Sequence, residues 1–302
     1  MTAPPSKLER RQLRSAALEE RARRLSARAA AERGRHGSVD AVFELVDRDV
    51  EVGGGILAGA LAYRLFIWML PFGLVLVAGL GIAADAASRS PSGAAGSLGL
   101  AGLVSSSVAS AAKSSSRWYA LLIGIPTLFL ATRSVLRALI GAHRLVWTDL
   151  RAAAPRPTPR ATARLLGLVL CIFFLSGAVG AARSWSVGAG VLASLLVTVP
   201  YAGIWLAISL RLPHRKAGWR ELLPGAFLFG ISACLIQAAA AYALGPWALN
   251  KQGTYGALGV AAAILLGLFL VGRVIVVAAA LNATLVERRA RRGGSGAETE
   301  HG

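Results

Sequence analysis

The chain has 302 residues, of which 55% are hydrophobic and only 16% charged, with a formal net charge of +18 and a mean hydropathy of +0.57. A soluble domain is usually about a quarter charged, so one large water-soluble core is excluded. The positive balance does not point to nucleic acid, because the basic residues crowd into both ends and a few short loops, as they do around membrane spans.

Met1–Gly37 is a basic tail, with Arg10, Arg11, Arg14, Arg21, Arg23, Arg24 and Arg28, and has nothing from which to build a core. From Ser38 to Glu51, Val42, Phe43, Val46 and Val50 recur at helical spacing while Asp40, Glu44, Asp47 and Glu51 take another face. This pattern predicts a short amphipathic helix at the cytoplasmic membrane interface, capped by Ser38 or Asp40, with a plain soluble helix as the alternative. Six apolar segments follow: Gly54–Ala84, Trp118–Leu139, Leu165–Ala182, Val187–Leu210, Leu222–Leu244 and Ala257–Val286. About 20 residues cross the hydrocarbon core. The first and last segments exceed that, so tilt or a kink is expected, and the third is the shortest. The expected fold is therefore an all-α membrane protein with six transmembrane helices and an N-terminal amphipathic interfacial helix. Its parts are a cytoplasmic tail (1–37), a membrane domain (38–286) and a second cytoplasmic tail (287–302).

Lys and Arg give the orientation. The stretch through Glu51 holds 11, the loop His143–Arg164 holds 5, Arg211–Arg220 holds 4 and the C-terminal tail 4. The alternate loops hold only Arg89, Lys113, Arg117, Arg183 and Lys251. Basic loops stay inside, so both termini are expected in the cytoplasm of a bacterial-type cell, with the spans in its inner membrane. Trp118, Trp185 and Trp247 fall at the expected outer boundaries, Trp147 and Trp219 near the inner one, as an aromatic belt requires. The one sizeable outer loop, Asp85–Arg117, contains Leu98–Val108, a candidate surface helix. Ala154–Arg160, with Pro155, Pro157 and Pro159 among its arginines, reads as an extended lipid-facing linker. The glycine triplet Gly53–Gly55 reads as flexible entry into the membrane. A phosphate loop is excluded, because Ala60 and Leu61 stand where the lysine and hydroxyl residue are needed.

Four arginines remain inside apolar segments, Arg64, Arg133, Arg137 and Arg273, and none of the six segments contains Asp or Glu. Inserting an arginine at mid-membrane costs about 2.5 to 3.5 kcal/mol, and its charge cannot be removed by deprotonation. The spacing of Arg133, Arg137 and Arg144 places them on one helical face, where Arg137 can snorkel to the headgroups. Arg64 and Arg273 lie deeper. The expected site is a polar cavity lined by Arg64, Arg133 and Arg273, with Tyr63, Gln237 and Asn282 as further polar groups, that binds an anionic group such as a lipid headgroup. The alternative is structural bonding of Arg64 and Arg273 to carbonyls freed at kinks, for which Pro71, Pro126 and Pro200 are the candidates.

No catalytic constellation is present, so no enzyme activity, cofactor or metal is expected. Cys171 and Cys234 lie in apolar runs and read as packing residues. His36, His143, His214 and His301 fall in loops or tails without metal-ligand spacing. The expected partners are membrane lipids, anionic ones above all, and no nucleic acid; the oligomeric state is open.

Two stretches resemble the YihY/BrkB family of inner-membrane proteins. One is Ala62-Tyr63-Arg64-Leu65-Phe66-Ile67-Trp68-Met69-Leu70-Pro71. The other is the ordered series Leu212-Pro213, Trp219-Arg220, Pro224-Gly225-Ala226, Thr254-Tyr255-Gly256 and Leu281-Asn282. The likeness covers Val39 to Val286. Arg64 stands where the family usually has an aromatic residue, and Trp68 where it has a serine. The resemblance implies six spans, a link in some members to virulence or serum resistance, and a ribonuclease label that no constellation here supports. The expected function is transport or translocation of an anionic or lipidic substrate. The alternative is a non-transporting scaffold of envelope assembly.

Overall fold

The computed structural model describes residues 20, 37–86, 117–147, 156–185, 187–215, 217–240 and 245–298. All regular structure among them is helical. In chain order the helices are α1 (Gly37–Glu51), α2 (Gly54–Ala86), α3 (Arg117–Val146), α4 (Pro159–Trp185), α5 (Val187–Ser209), α6 (Trp219–Ala239) and α7 (Gly245–Glu298). Two compact units are distinguished, Met1–Arg48 and Asp49–Gly302, and the six long helices belong to the second.

Each of α2 to α7 is long and apolar enough to cross a bilayer, yet only 11% to 33% of the residues in their apolar windows are buried. Soluble monomers rarely expose contiguous apolar patches beyond a few hundred Å². The outward surface here needs hydrocarbon around it, and the protein is a multi-pass membrane protein.

Several helices outrun the apolar segments that announced them. α4 starts at Pro159 rather than Leu165, so the third span is not short. Proline suits the first helical position, where its missing N–H is no loss. Thr158 caps the turn by accepting from the Ala161 N–H at 3.2 Å. Of the linker Ala154–Arg160, residues 156–158 are non-helical and Pro157 is buried. α6 begins at Trp219, three residues before the expected limit, with Glu221 accepting from the Gly218 N–H at 2.8 Å; the expected end at Leu244 lies outside the described residues. α7 is 54 residues long and continues well past Val286. Its charged extension is tied down by Arg215 to Glu287 (3.5 Å) and Arg289 to Glu221 (3.9 Å). Hydropathy marks only what lies in hydrocarbon, and helices run on into the interface.

Each helix packs on the next, from α2 through α7, and α7 returns to α2 and also touches α3. Small residues permit the close approaches, as expected where lipid supplies no hydrophobic drive between helices. A methyl group on Gly272 would stand 2.6 Å from the Ala58 carbonyl oxygen, and one on Gly230 2.6 Å from that of Thr198. The ends at Gly54, Val146, Pro159, Ser209 and Trp219 form one end of the bundle, called the basic end. Its packing corrects two expectations. Trp147 is only 1% exposed and belongs to the core, not to an aromatic belt, whereas Trp118 and Trp219 are exposed. His143 is not in a loop: it is buried in α3, its Nδ1 3.1 Å from the Leu139 carbonyl oxygen and its ring beside Trp205, which stacks on Phe229 at 4.4 Å. The helix runs past Leu139 through His143 and Arg144 to Val146, where residue polarity alone marks a loop. Cys171 is exposed on α4, not packed, while Cys234 donates to the Ser194 carbonyl at 3.3 Å. The Met1–Gly37 tail before residue 37 (apart from residue 20), the Leu98–Val108 surface helix, and the side chains of Trp185 and Trp247 lie outside the described residues.

Candidate functional site

α2 offers two faces. Ala58, Leu61, Trp68 and Phe72 are buried, while Ile56, Tyr63, Ile67, Leu70 and Leu74 are exposed. Arg64 stands at the border between them. Counting about 1.5 Å per residue from Gly54, it lies roughly 15 Å along the helix. It is exposed, and its Nη1 donates to the Ser134 hydroxyl of α3 at 2.6 Å. One turn further on, Trp68 donates through Nε1 to the buried Thr132 hydroxyl at 2.8 Å. Its ring stacks on Phe72 at 4.8 Å and on Phe173 of α4 at 5.9 Å. The aromatic group closes the interior beyond Arg64.

α3 supplies the remaining mid-depth cations. Its thirty residues contain no carboxylate. At about 100° per residue, Leu130, Arg133, Ser134 and Arg137 share roughly a third of its circumference. The buried residues Leu128, Thr132, Val135, Leu139 and Ala142 occupy the other side. Arg137 is exposed. Arg133 is half-buried, and its Nε is buried with no hydrogen-bond partner. Among the described residues, no carboxylate pairs with Arg64, Arg133 or Arg137.

Arg273 is different, and corrects the expectation that the deep arginines lack carboxylates. Its Nη1 and Nη2 donate to Oδ1 and Oδ2 of Asp49 at 3.0 and 2.9 Å. Asp49 belongs to α1, outside every apolar segment. The glycine triplet makes the contact possible. Gly53 has φ 64°, in the left-handed region where glycine is the unstrained residue, and turns the chain between α1 and α2. A methyl group on Gly54 would collide with the Asp49 carboxylate. The triplet is thus a defined turn over an ion pair rather than a flexible entry.

The other expected residues join separate sets of partners. Asn282 is buried between α6 and α7: its Oδ1 accepts from the Gly225 N–H at 2.7 Å and its Nδ2 donates to the Leu222 carbonyl at 3.2 Å. It holds the backbone beside Pro224, where the helix lacks an N–H. Gln237 donates to the Ser176 carbonyl at 3.2 Å, its Oε1 is buried without a partner, and the Ser176 hydroxyl lies 2.7 Å from that of Tyr201. Tyr63 is exposed toward lipid. Pro71, Pro126 and Pro200 all stand inside continuous helices, each removing the donor that serves the carbonyl four residues earlier. Of Thr254, Tyr255 and Gly256 only the helical backbone is described. Sequence reasoning missed Asp49, Ser134, Thr132, Ser176 and Tyr201. Only Asp49 carried a signal, as one of two acids, with Glu51, just before the glycine turn.

Comparison with curated proteins and with solved structures finds no match. A protein-family model described as Virulence factor BrkB matches residues 50–301. That stretch holds α2 to α7, Asp49's partner Arg273 and the Pro224-Gly225-Ala226 and Asn282 contact, and the chain belongs to the BrkB virulence factor family.

Proposed function

We propose that this protein translocates an anionic amphiphile across the bacterial inner membrane, with both termini on the cytoplasmic side. The observation that carries this reading is Arg64: an exposed guanidinium roughly 15 Å along its span whose one hydrogen bond among the described residues goes to a neutral hydroxyl. A permanent cation at that depth stabilises an anion passing beside it, and an unpaired one is otherwise a cost of about 2.5 to 3.5 kcal/mol. The excess of Lys and Arg in alternate connections supports the orientation.

The test is translocation in vesicles holding only this protein. Fluorescent phosphatidylglycerol on the inner leaflet is scored as it becomes reachable by an impermeant quencher. Translocation well above protein-free vesicles, reduced at least fivefold by Arg64→Gln in folded protein, is the expected result. A rate equal to protein-free vesicles, with the protein folded and inserted, rejects the reading in favour of a scaffold.

A further inference from the structure

Arg133, half-buried, and Arg137, exposed, share one face of α3. Counted back from Val146, Arg137 stands about 14 Å and Arg133 about 20 Å into the helix, and Arg64 is drawn to the same level through Ser134. Two guanidinium groups thus stand on successive turns of α3, with the Arg64 group of α2 beside the second of them. Apolar groups flank them: Leu130 is 62% exposed and Tyr63 59%, with Ile67 and Ile123 also exposed. Beyond Leu130 the polarity continues with Thr127 and Pro126, both exposed. Thr127 bonds its own helix at the Ile123 carbonyl (2.7 Å), and Pro126 leaves the Leu122 carbonyl without its usual donor.

We infer that this face of α3 is a headgroup track: the phosphate of an anionic phospholipid passes along Arg137, Arg133 and Arg64 while its acyl chains stay in the surrounding bilayer. The inference rests on the translocation reading and deepens it by naming the substrate class and the route. Charge complementarity selects the occupant. A guanidinium fork matches a phosphate oxygen pair, and Arg137 presents an exposed one. A small free anion would have to enter hydrocarbon with nothing to bury, whereas a phospholipid brings chains that fit the apolar flanks. A second copy docking symmetrically would set arginine against arginine, because α3 offers no carboxylate.

The test uses the full chain, stripped of lipid in detergent and titrated with phosphatidylglycerol, phosphatidylcholine or inorganic phosphate. Retained lipid is counted by native mass spectrometry, and a photoreactive residue at position 130 reports contact. Phosphatidylglycerol should be retained at least fivefold over phosphatidylcholine and crosslink at position 130. The Arg133→Gln/Arg137→Gln variant should fall to the phosphatidylcholine level, and Arg211→Gln should not. If the double variant fails to fold, the exposed Arg137→Gln alone should lower retention at least twofold. Equal retention of the two lipids, retention unmoved by these variants, or displacement by millimolar inorganic phosphate overturns the track. The two readings part cleanly. Retention without translocation removes transport and leaves the track, and translocation undiminished in the folded double variant removes the track and leaves transport.

Discussion

Arg273 and Asp49, 224 positions apart in sequence, share a two-pronged ion pair that fastens the end of α1 to the last span. The two side chains retain 32% and 17% exposure, so the pair is neither a free surface contact nor sealed in hydrocarbon. Its geometry is the forked one in which arginine outperforms lysine. A carboxylate just before the first span is thus spent on one deep arginine, leaving Arg64, Arg133 and Arg137 to meet something else.

Breaking this pair should destabilise the fold and leave headgroup selectivity intact. A sealed pair broken on one side loses about 3–5 kcal/mol; with this much exposure we expect about 1–3 kcal/mol for Arg273→Gln. Asp49→Asn should cost a similar amount, and the double variant much less than the sum. Unfolding by SDS titration in mixed micelles reads all three. Additive losses would mean that the contact carries no coupling.

Gly54 should be indispensable only while Asp49 is present. A methyl group there overlaps the carboxylate, and forced overpacking costs about 1–3 kcal/mol. Gly54→Ala should therefore melt earlier than the wild type, yet add little in an Asp49→Ala background. Gly53→Ala tests the neighbouring turn independently: φ 64° costs a β-carbon about 1–2 kcal/mol, whatever occupies position 49.

The six spans were legible because hydrocarbon demands long apolar runs, and the ends were less so because helices such as α7 continue through charged residues once they leave it. The arginines were legible as outliers, but their surroundings were not. Nothing in the order of residues says that Ser134 rather than Thr132 receives Arg64, since both hydroxyls lie on α3 within one turn. Asp49 was hidden by a boundary drawn on hydropathy, and Asn282 by its polarity, which suits a ligand contact and a backbone bridge equally.

Trp68 should contribute mostly through its ring. Its Nε1–H bond to Thr132 is one buried hydrogen bond, worth about 1 kcal/mol, and Thr132 keeps its own bond to the Leu128 carbonyl at 2.7 Å. Trp68→Phe should thus lose about 1 kcal/mol, while Trp68→Ala, which empties the stack with Phe72 and Phe173, should lose about 3–5 kcal/mol. Equal losses for the two variants would place the stabilisation in the hydrogen bond instead.

Asn282 distinguishes a structural role from a substrate contact. Both ends of its amide serve backbone groups of α6, and no solvent reaches them in a residue that is 2% exposed. Asn282→Ala leaves the Gly225 N–H and the Leu222 carbonyl to find new partners in a buried seam, at about 1–3 kcal/mol for each group. A large loss of folded protein is expected, with headgroup selectivity unchanged in whatever survives. Gly225→Ala supplies the complementary test, because its methyl group meets both the Asn282 amide and the Ala278 carbonyl oxygen. Removing the amide relieves only the first of these clashes. Gly225→Ala should therefore remain damaging in an Asn282→Ala background, which locates the requirement in the approach of the α6 and α7 backbones. Stable Asn282→Ala protein with altered lipid selectivity would instead return Asn282 to the substrate path.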